Sequence, residues 1–226
     1  SYNISGIHDN LRDLTQSLNF GFFNPKAGIH YTLNSKNAFY ASVAVANREP
    51  NRNAYRDADP GQEIMPERLV DYEAGYKFTG SKISLQTNFY YMDYTDQLVL
   101  TGQINNVGDA ILVNVPESYR AGIEVVGGLQ LASTLMWEFN ATWSANKITN
   151  FMAYTDDWDT WPEQKVEALG TTDISFSPDL TAGSILSWEA FRNFKASLLS
   201  NYVGRQYIDN TSNKSRSLDP YFVNNI

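Results

Sequence analysis

The stretch LMWEFNATWSAN, Leu135 to Asn146, limits more than any other feature what this chain can become. Leu135, Trp137, Phe139, Ala141, Trp143 and Ala145 are apolar, and Glu138, Asn140, Thr142, Ser144 and Asn146 alternate with them. A period of two marks a β-strand whose two faces meet different surroundings. Strands of globular proteins usually run about 5 to 6 residues, and this one is far longer. One face must be buried, or be shown to something other than water.

The same pattern recurs along the chain, giving strands around 20–33, 38–47, 68–78, 83–94, 117–131, 135–149, 180–189 and 194–207, with a ninth starting at DPYFVNNI. Almost nothing reads as helix. In 68–78, Val70, Tyr72, Ala74, Tyr76 and Phe78 alternate with Asp71, Glu73, Gly75 and Lys77. In 117–131, Tyr119, Ala121, Ile123 and Val125 stand against Arg120, Gly122 and Glu124, and Val126 breaks the polar side.

The connections alternate in length. Short turns fall at NSKN (34–37), TGSK (79–82), AST (132–134) and AFRN (190–193), and long polar loops fall at 48–67, 95–116, 150–179 and 208–219. In an up-and-down antiparallel sheet every second connection lies at the same end, so short turns share one rim and long loops the other. Long alternating strands with loops sorted by length are the pattern of an antiparallel up-and-down transmembrane β-barrel, with short periplasmic turns and long extracellular loops. A soluble β-sandwich binding module is the first rival, but sandwich strands are shorter and a sandwich has no reason to sort its loops. A passive porin or small outer-membrane barrel is the second.

Composition fits this reading without selecting it. No apolar run approaches the 18 residues of a membrane helix, and mean hydropathy is -0.38, because the inward face of a barrel strand dilutes the average. A net charge of -8 argues against nucleic acid as a partner, since phosphate binding needs a basic surface. The absence of cysteine excludes disulfide and thiolate chemistry. The opening SYNISGIHDN has neither the basic start nor the apolar core of a signal peptide, so either a mature chain begins here or the sequence is a piece of a longer one.

Three blocks, FFNPKAGIHYTLNSKNAFYASVAVANREPNRNAYRDA, PERLVDYEAGYKF and YVGRQYIDNTSNKSRSLDPYFVNN, resemble in sequence and order the C-terminal part of the barrel of TonB-dependent outer-membrane receptors, of the Bacteroidota type. The resemblance implies that residues 1–226 are about eight to nine strands of a barrel of about 22 with a plugged lumen, and that the plug domain lies outside this chain. It also implies a location in the outer membrane of a Gram-negative bacterium and energy-coupled uptake of a scarce nutrient, such as a ferric siderophore or haem. The implied partners are outer-membrane lipid, the plug, the TonB-ExbB-ExbD complex and a small-molecule ligand such as a metal chelate. Barrels of this kind typically finish on a terminal aromatic, whereas this chain stops at Ile226 just inside a new strand.

Candidate residues sort by position. Arg48, Arg52 and Arg56 lie in the loop after the second strand and could meet an anionic ligand, although Glu49, Asp57 and Asp59 in the same loop are natural internal partners. Tyr154, Trp158 and Trp161 in the longest loop could offer an aromatic platform, with packing of the loop the plainer reading. Asp71, Glu73, Lys77, Arg120, Glu124 and Glu138 should face the lumen, where mixed signs suit a plug-contacting wall. Tyr72, Tyr76, Phe78, Trp137, Phe139 and Trp143 should face lipid. Acidic groups at Asp57, Asp59 and Glu63 and at Asp156, Asp157 and Asp159 follow no complete calcium-loop pattern, and solvated loops are the simpler account. His8 and His30 have no ligand cluster around them, and no G-x-S-x-G turn occurs. No metal, cofactor or enzymatic activity is expected.

Overall fold

The computed structural model describes residues 2–4, 16–58, 61–105, 108–160 and 163–226, so His8, Asp59 and Trp161 lie outside the described residues. The elements are β1 (Tyr2–Ile4), β2 (Gln16–Leu18), β3 (Lys26–Asn34), β4 (Asn37–Arg48), α1 (Arg52–Asp57), β5 (Glu67–Thr79), β6 (Ile83–Ile104), β7 (Ala110–Ala132), β8 (Leu135–Asp156), β9 (Gln164–Asp173), β10 (Leu180–Phe191), β11 (Phe194–Val203), β12 (Gln206–Tyr207), a 3-10 turn (Lys214–Arg216), β13 (Ser217–Leu218) and β14 (Tyr221–Asn225). Ten strands form one antiparallel sheet in the order β14-β11-β10-β8-β7-β6-β5-β4-β3, with β9 also pairing β8. Order in space follows order in the chain, as an up-and-down sheet requires.

Register carries the two faces across the whole sheet. Directly opposed residues share a face. One row runs Tyr31, Phe39, Tyr76, Thr87, Val125, Ala141, Ala182 and Tyr202. The neighbouring row on the other face runs His30, Tyr40, Gly75, Asn88, Glu124, Thr142 and Thr181. On the first face no charged residue interrupts Val70 to Phe78, Ile83 to Tyr91, Tyr119 to Leu131 or Leu135 to Ala145. Charges return just beyond, at Arg68, Asp93, Glu117 and Lys147. From Leu135 to Ala145 the strand rises about 33 Å, or about 25 Å of height at a tilt near 40°. That is the height of the apolar band of an outer-membrane barrel.

Two expected loops prove to be mostly strand. Residues 95–116 and 150–179 read as polar loops because period two fails there, yet β6, β7 and β8 run on to 22, 23 and 22 residues, so Tyr154 is a strand residue rather than a loop residue. Asp96 and Asn150 hold positive φ of 56° and 53°. Each turns the strand about its axis, and a register shift accompanies the second, so the alternation changes phase and is lost to inspection.

The buried cores lie in this extension, not in the band. Val99, Val115, Ile148, Phe151, Ala153 and Ile174 form one cluster. Ala54 and Tyr55 of α1, with Ala58 and Ile64, form another, packed against Leu98 and Leu112. Val99 and Val115 lie on one side of the β6–β7 ribbon and Leu98 and Leu112 on the other. Within the band the sheet is one layer thick, and both its faces are open in this chain.

Candidate functional site

Above Arg68–Thr95, the last β5–β6 pair, β6 continues with β7 alone and would leave one edge of its backbone unpaired. Side chains cap that edge at every second residue. Glu67 Oε1 accepts from Leu98 N at 2.7 Å, and Asn210 Nδ2 donates to Leu100 O at 2.9 Å. Gln164 donates to Gly102 O at 3.0 Å and accepts from Ile104 N at 3.2 Å. Because Gln164 opens β9 and Asn210 belongs to the 204–219 segment, β6, β7, β8 and β9 curl into a roll whose seam is closed by amides. Asn210 Oδ1 also takes Ser175 N at 2.8 Å, and only 4% of Asn210 is exposed, so the seam is fixed from both sides.

Gly102 is required at this closure. Its φ is +90°, and a Cβ there would stand 2.2 Å from Tyr154 O. Asn114 makes a further clamp, accepting from Met65 N at 2.9 Å and donating to Met65 O at 3.0 Å. The long-loop end is therefore an ordered platform whose β6 edge is bonded by side chains from separate segments.

Two of the three arginines named above are held in ion pairs at this end. Arg48 ends β4 and reaches Glu67 Oε2 at 2.5 Å, with the carboxylate only 7% exposed. Arg56 makes a two-point pair with Asp57 at 2.6 and 2.9 Å. Arg52 opens α1 and is exposed. Trp158, at the tip between β8 and β9, is 78% exposed. Tyr154 sits across from Gly102 on the roll. Through Glu67 on Leu98 N and Tyr154 O against Gly102, Arg48 and β8 meet the same outer half of β6. Among the described residues no three His, Cys, Asp or Glu side chains converge as a metal site: Asp156 accepts from Gln164 at 2.9 Å, Asp157 from Asp159 N at 3.1 Å, and Glu63 is exposed.

The charged face below the platform is brought together by register. Asp71, Glu73 and Lys77 on β5, Arg120 and Glu124 on β7, and Glu138 on β8 all point to the face opposite Tyr72, Tyr76, Phe78, Trp137, Phe139 and Trp143. Arg120 Nη1 donates to Ser177 Oγ at 3.0 Å and reaches Asn146 Oδ1 at 3.4 Å. Asp71 Oδ1 is shielded from solvent and meets no donor among the described residues. Tyr40 lies over Gly75, where a Cβ would come within 2.2 Å of its ring, and donates to Asn88 Oδ1 at 2.8 Å. Asn88 in turn reaches Glu124 at 3.4 Å. Sequence reasoning missed this Tyr40–Gly75–Asn88–Glu124 row, although a glycine inside a strand is a signal of close approach.

On the apolar face Trp137 Nε1 donates to Ser184 Oγ at 2.8 Å, so its indole N–H has a partner within the sheet. Trp137 and Phe139 pack with ring centroids 4.6 Å apart. Trp143 is 66% exposed.

Residues 2–226 match the family model described as "TonB dependent receptor-like, beta-barrel". Solved structures with the same fold include the ferric yersiniabactin uptake receptor FyuA from Yersinia pestis, at 18% identity and TM-score 0.59 over 88% of this chain and 28% of that one. The copper transporter OprC shares 18% identity at TM-score 0.66, over 88% of this chain and 29% of that one. The ferric-catecholate import receptor Fiu from K12 E. coli shares 15% identity at TM-score 0.65, over 96% of this chain and 30% of that one. This chain therefore spans about three-tenths of the length of the receptors it matches. A search of curated protein sequences found no match.

Proposed function

The chain belongs to the TonB-dependent receptor β-barrel family, and from that premise we propose that it forms part of the wall and mouth of an outer-membrane receptor importing a scarce nutrient. The family consists of transport receptors of the Gram-negative outer membrane. Among the described residues no helix is long and apolar enough to cross a membrane; the long alternating strands are the elements that would span it. The nutrient is a ferric siderophore or haem. It is held at the long-loop end, with Arg48, Arg52, Arg56, Tyr154, Trp158 and Trp161 as contact residues.

The observation that carries this reading is the charge-free face, continuous over the sheet and about 25 Å tall, with the ordered extension at one end only. Tyr72, Tyr76, Phe78, Trp137, Phe139 and Trp143 face lipid. Asp71, Glu73, Lys77, Arg120, Glu124 and Glu138 face the plug, a domain outside this chain, and the shielded Asp71 oxygen finds its donor there. Plug rearrangement driven by the TonB-ExbB-ExbD complex then releases the ligand inward.

Two measurements test the reading. Phe139→Arg places a charge near mid-band, at a cost of about 2–4 kcal/mol, and should sharply reduce heat-modifiable, membrane-inserted receptor, whereas Asn140→Arg on the other face should assemble; equal effects overturn the lipid assignment. Deleting the receptor gene should abolish growth on one ferric siderophore or haem as sole iron source, with restoration by the whole gene. Unchanged growth on every iron source tried overturns the nutrient class.

A further inference from the structure

We propose that the short-turn rim carries a docking surface for anionic phospholipid headgroups of the adjoining leaflet, built from Lys36, Lys82 and Arg192 with the Phe191–Phe194 stack. The inference rests on the membrane-spanning reading above. Among the described residues the five ion pairs, of Arg48, Arg56, Lys147, Arg205 and Arg216, all lie at or beyond the long-loop end of the band. At the opposite end Lys36, Lys82, Arg192 and Lys195 are exposed, and none of them makes an ion pair among the described residues. Unpaired cations also occur at the long-loop end, at Arg52, Arg68, Lys165 and Lys214, but among the described residues the short-turn rim holds no ion pair at all.

The free cations are also held in place. Lys36 O accepts from Thr79 N and Lys82 O from Gln130 N, each at 2.8 Å, so each turn backbone is locked to the next hairpin while the ammonium stays free. Asn34 Oδ1 further fixes the first turn by accepting from Lys36 N at 2.9 Å and Asn37 N at 3.0 Å. Lys36 and Lys82 stand on adjacent hairpins, two strands or about 10 Å apart, roughly the width of one lipid headgroup, whereas Arg192 lies four strands or about 19 Å beyond Lys82 and would engage a separate headgroup. At the β10–β11 turn Phe191 and Phe194 stack at 4.9 Å. Both are well exposed, at 68% and 47%. Beside them lies a hollow of about 550 Å³ lined by Thr134, Glu189, Phe191, Arg192, Phe194 and Lys195. Glu189 is the only carboxylate in that lining. Aromatic rings at the edge of an apolar band, with cations one turn further out, place positive charge where the phosphates of a bilayer begin.

The test uses the full-length receptor reconstituted into phosphatidylethanolamine vesicles containing a minority of phosphatidylglycerol, with the lipid retained on the purified protein identified by native mass spectrometry. Phosphatidylglycerol should be enriched about fivefold over the vesicle average for each engaged cation. The triple variant Lys36→Gln, Lys82→Gln, Arg192→Gln should lose the enrichment while keeping heat-modifiable mobility, and the outer control Lys165→Gln should retain it. Added inorganic phosphate should leave it unchanged, because the headgroup is held together with its acyl chains. Equal enrichment in wild type and triple variant overturns the proposal. So does loss of uptake in the triple variant with lipid retention unaltered, which would assign the cations to a protein partner. A receptor that never enters the vesicles defeats instead the membrane-spanning reading itself.

Discussion

Residue by residue, the polar face is built by close approach. Tyr40 crosses Gly75 to reach Asn88, which leaves no room for a side chain at position 75. Gly75→Val should push the ring off its strand and break the row to Glu124, costing about 1–3 kcal/mol, whereas Tyr40→Phe removes only the hydroxyl and should cost about 1 kcal/mol. The shift in the temperature at which the heat-modifiable band unfolds measures both. A Gly75→Val protein as stable as wild type would mean that Tyr40 has another place to go. Period two is enough to assign Asp71 and Tyr72 to opposite faces. It cannot reveal that Tyr40 and Asn88, distant in sequence, are joined across a glycine, because that contact depends on register.

Among the elements, the outer half of β6 organises the long-loop end. Its free edge is capped by Glu67, Asn210 and Gln164, side chains from three separate segments. An uncapped edge would offer itself to other chains. Gln164→Ala or Asn210→Ala should leave a partly buried backbone group of β6 without its side-chain partner, at about 1 kcal/mol. Amide exchange should then rise over 98–104 and 164–173 while the band strands stay protected. Unchanged exchange there would show that the roll closes without its amides. The hairpin ends of the elements were legible, since NSKN, TGSK, AST and AFRN all lie at strand junctions. The extensions were not, because positive φ at Asp96 and Asn150 breaks the period on which the reading depends. The 52–57 helix escaped notice because at six residues it is too short to show a period of its own.

As a whole molecule, the chain is a single-layered curved wall with an ordered head at one end and short turns at the other. Its two outermost strands, β3 and β14, are exposed along their length, and in the receptor we propose they pair with strands of the remaining barrel. The absence of a core inside the band distinguishes this sheet from a sandwich, where the same apolar rows would meet a second sheet. The rows could be read from the sequence. What lies against the polar rows could not, because the plug-facing partners of Asp71 and Glu138 belong to the proposed domain outside this chain.

The lipid assignment is the central claim, and the lack of cysteine in this chain makes it directly measurable. Single cysteines placed in turn at Leu135 to Asn146 in the full-length receptor, spin-labelled in vesicles, report collision with oxygen dissolved in lipid and with a water-soluble nickel complex. The account predicts a period of two, with oxygen access high at odd positions from 137 to 145 and low at the even ones. Oxygen access that is uniform along the strand, or highest at Glu138, Asn140 and Thr142, would contradict it.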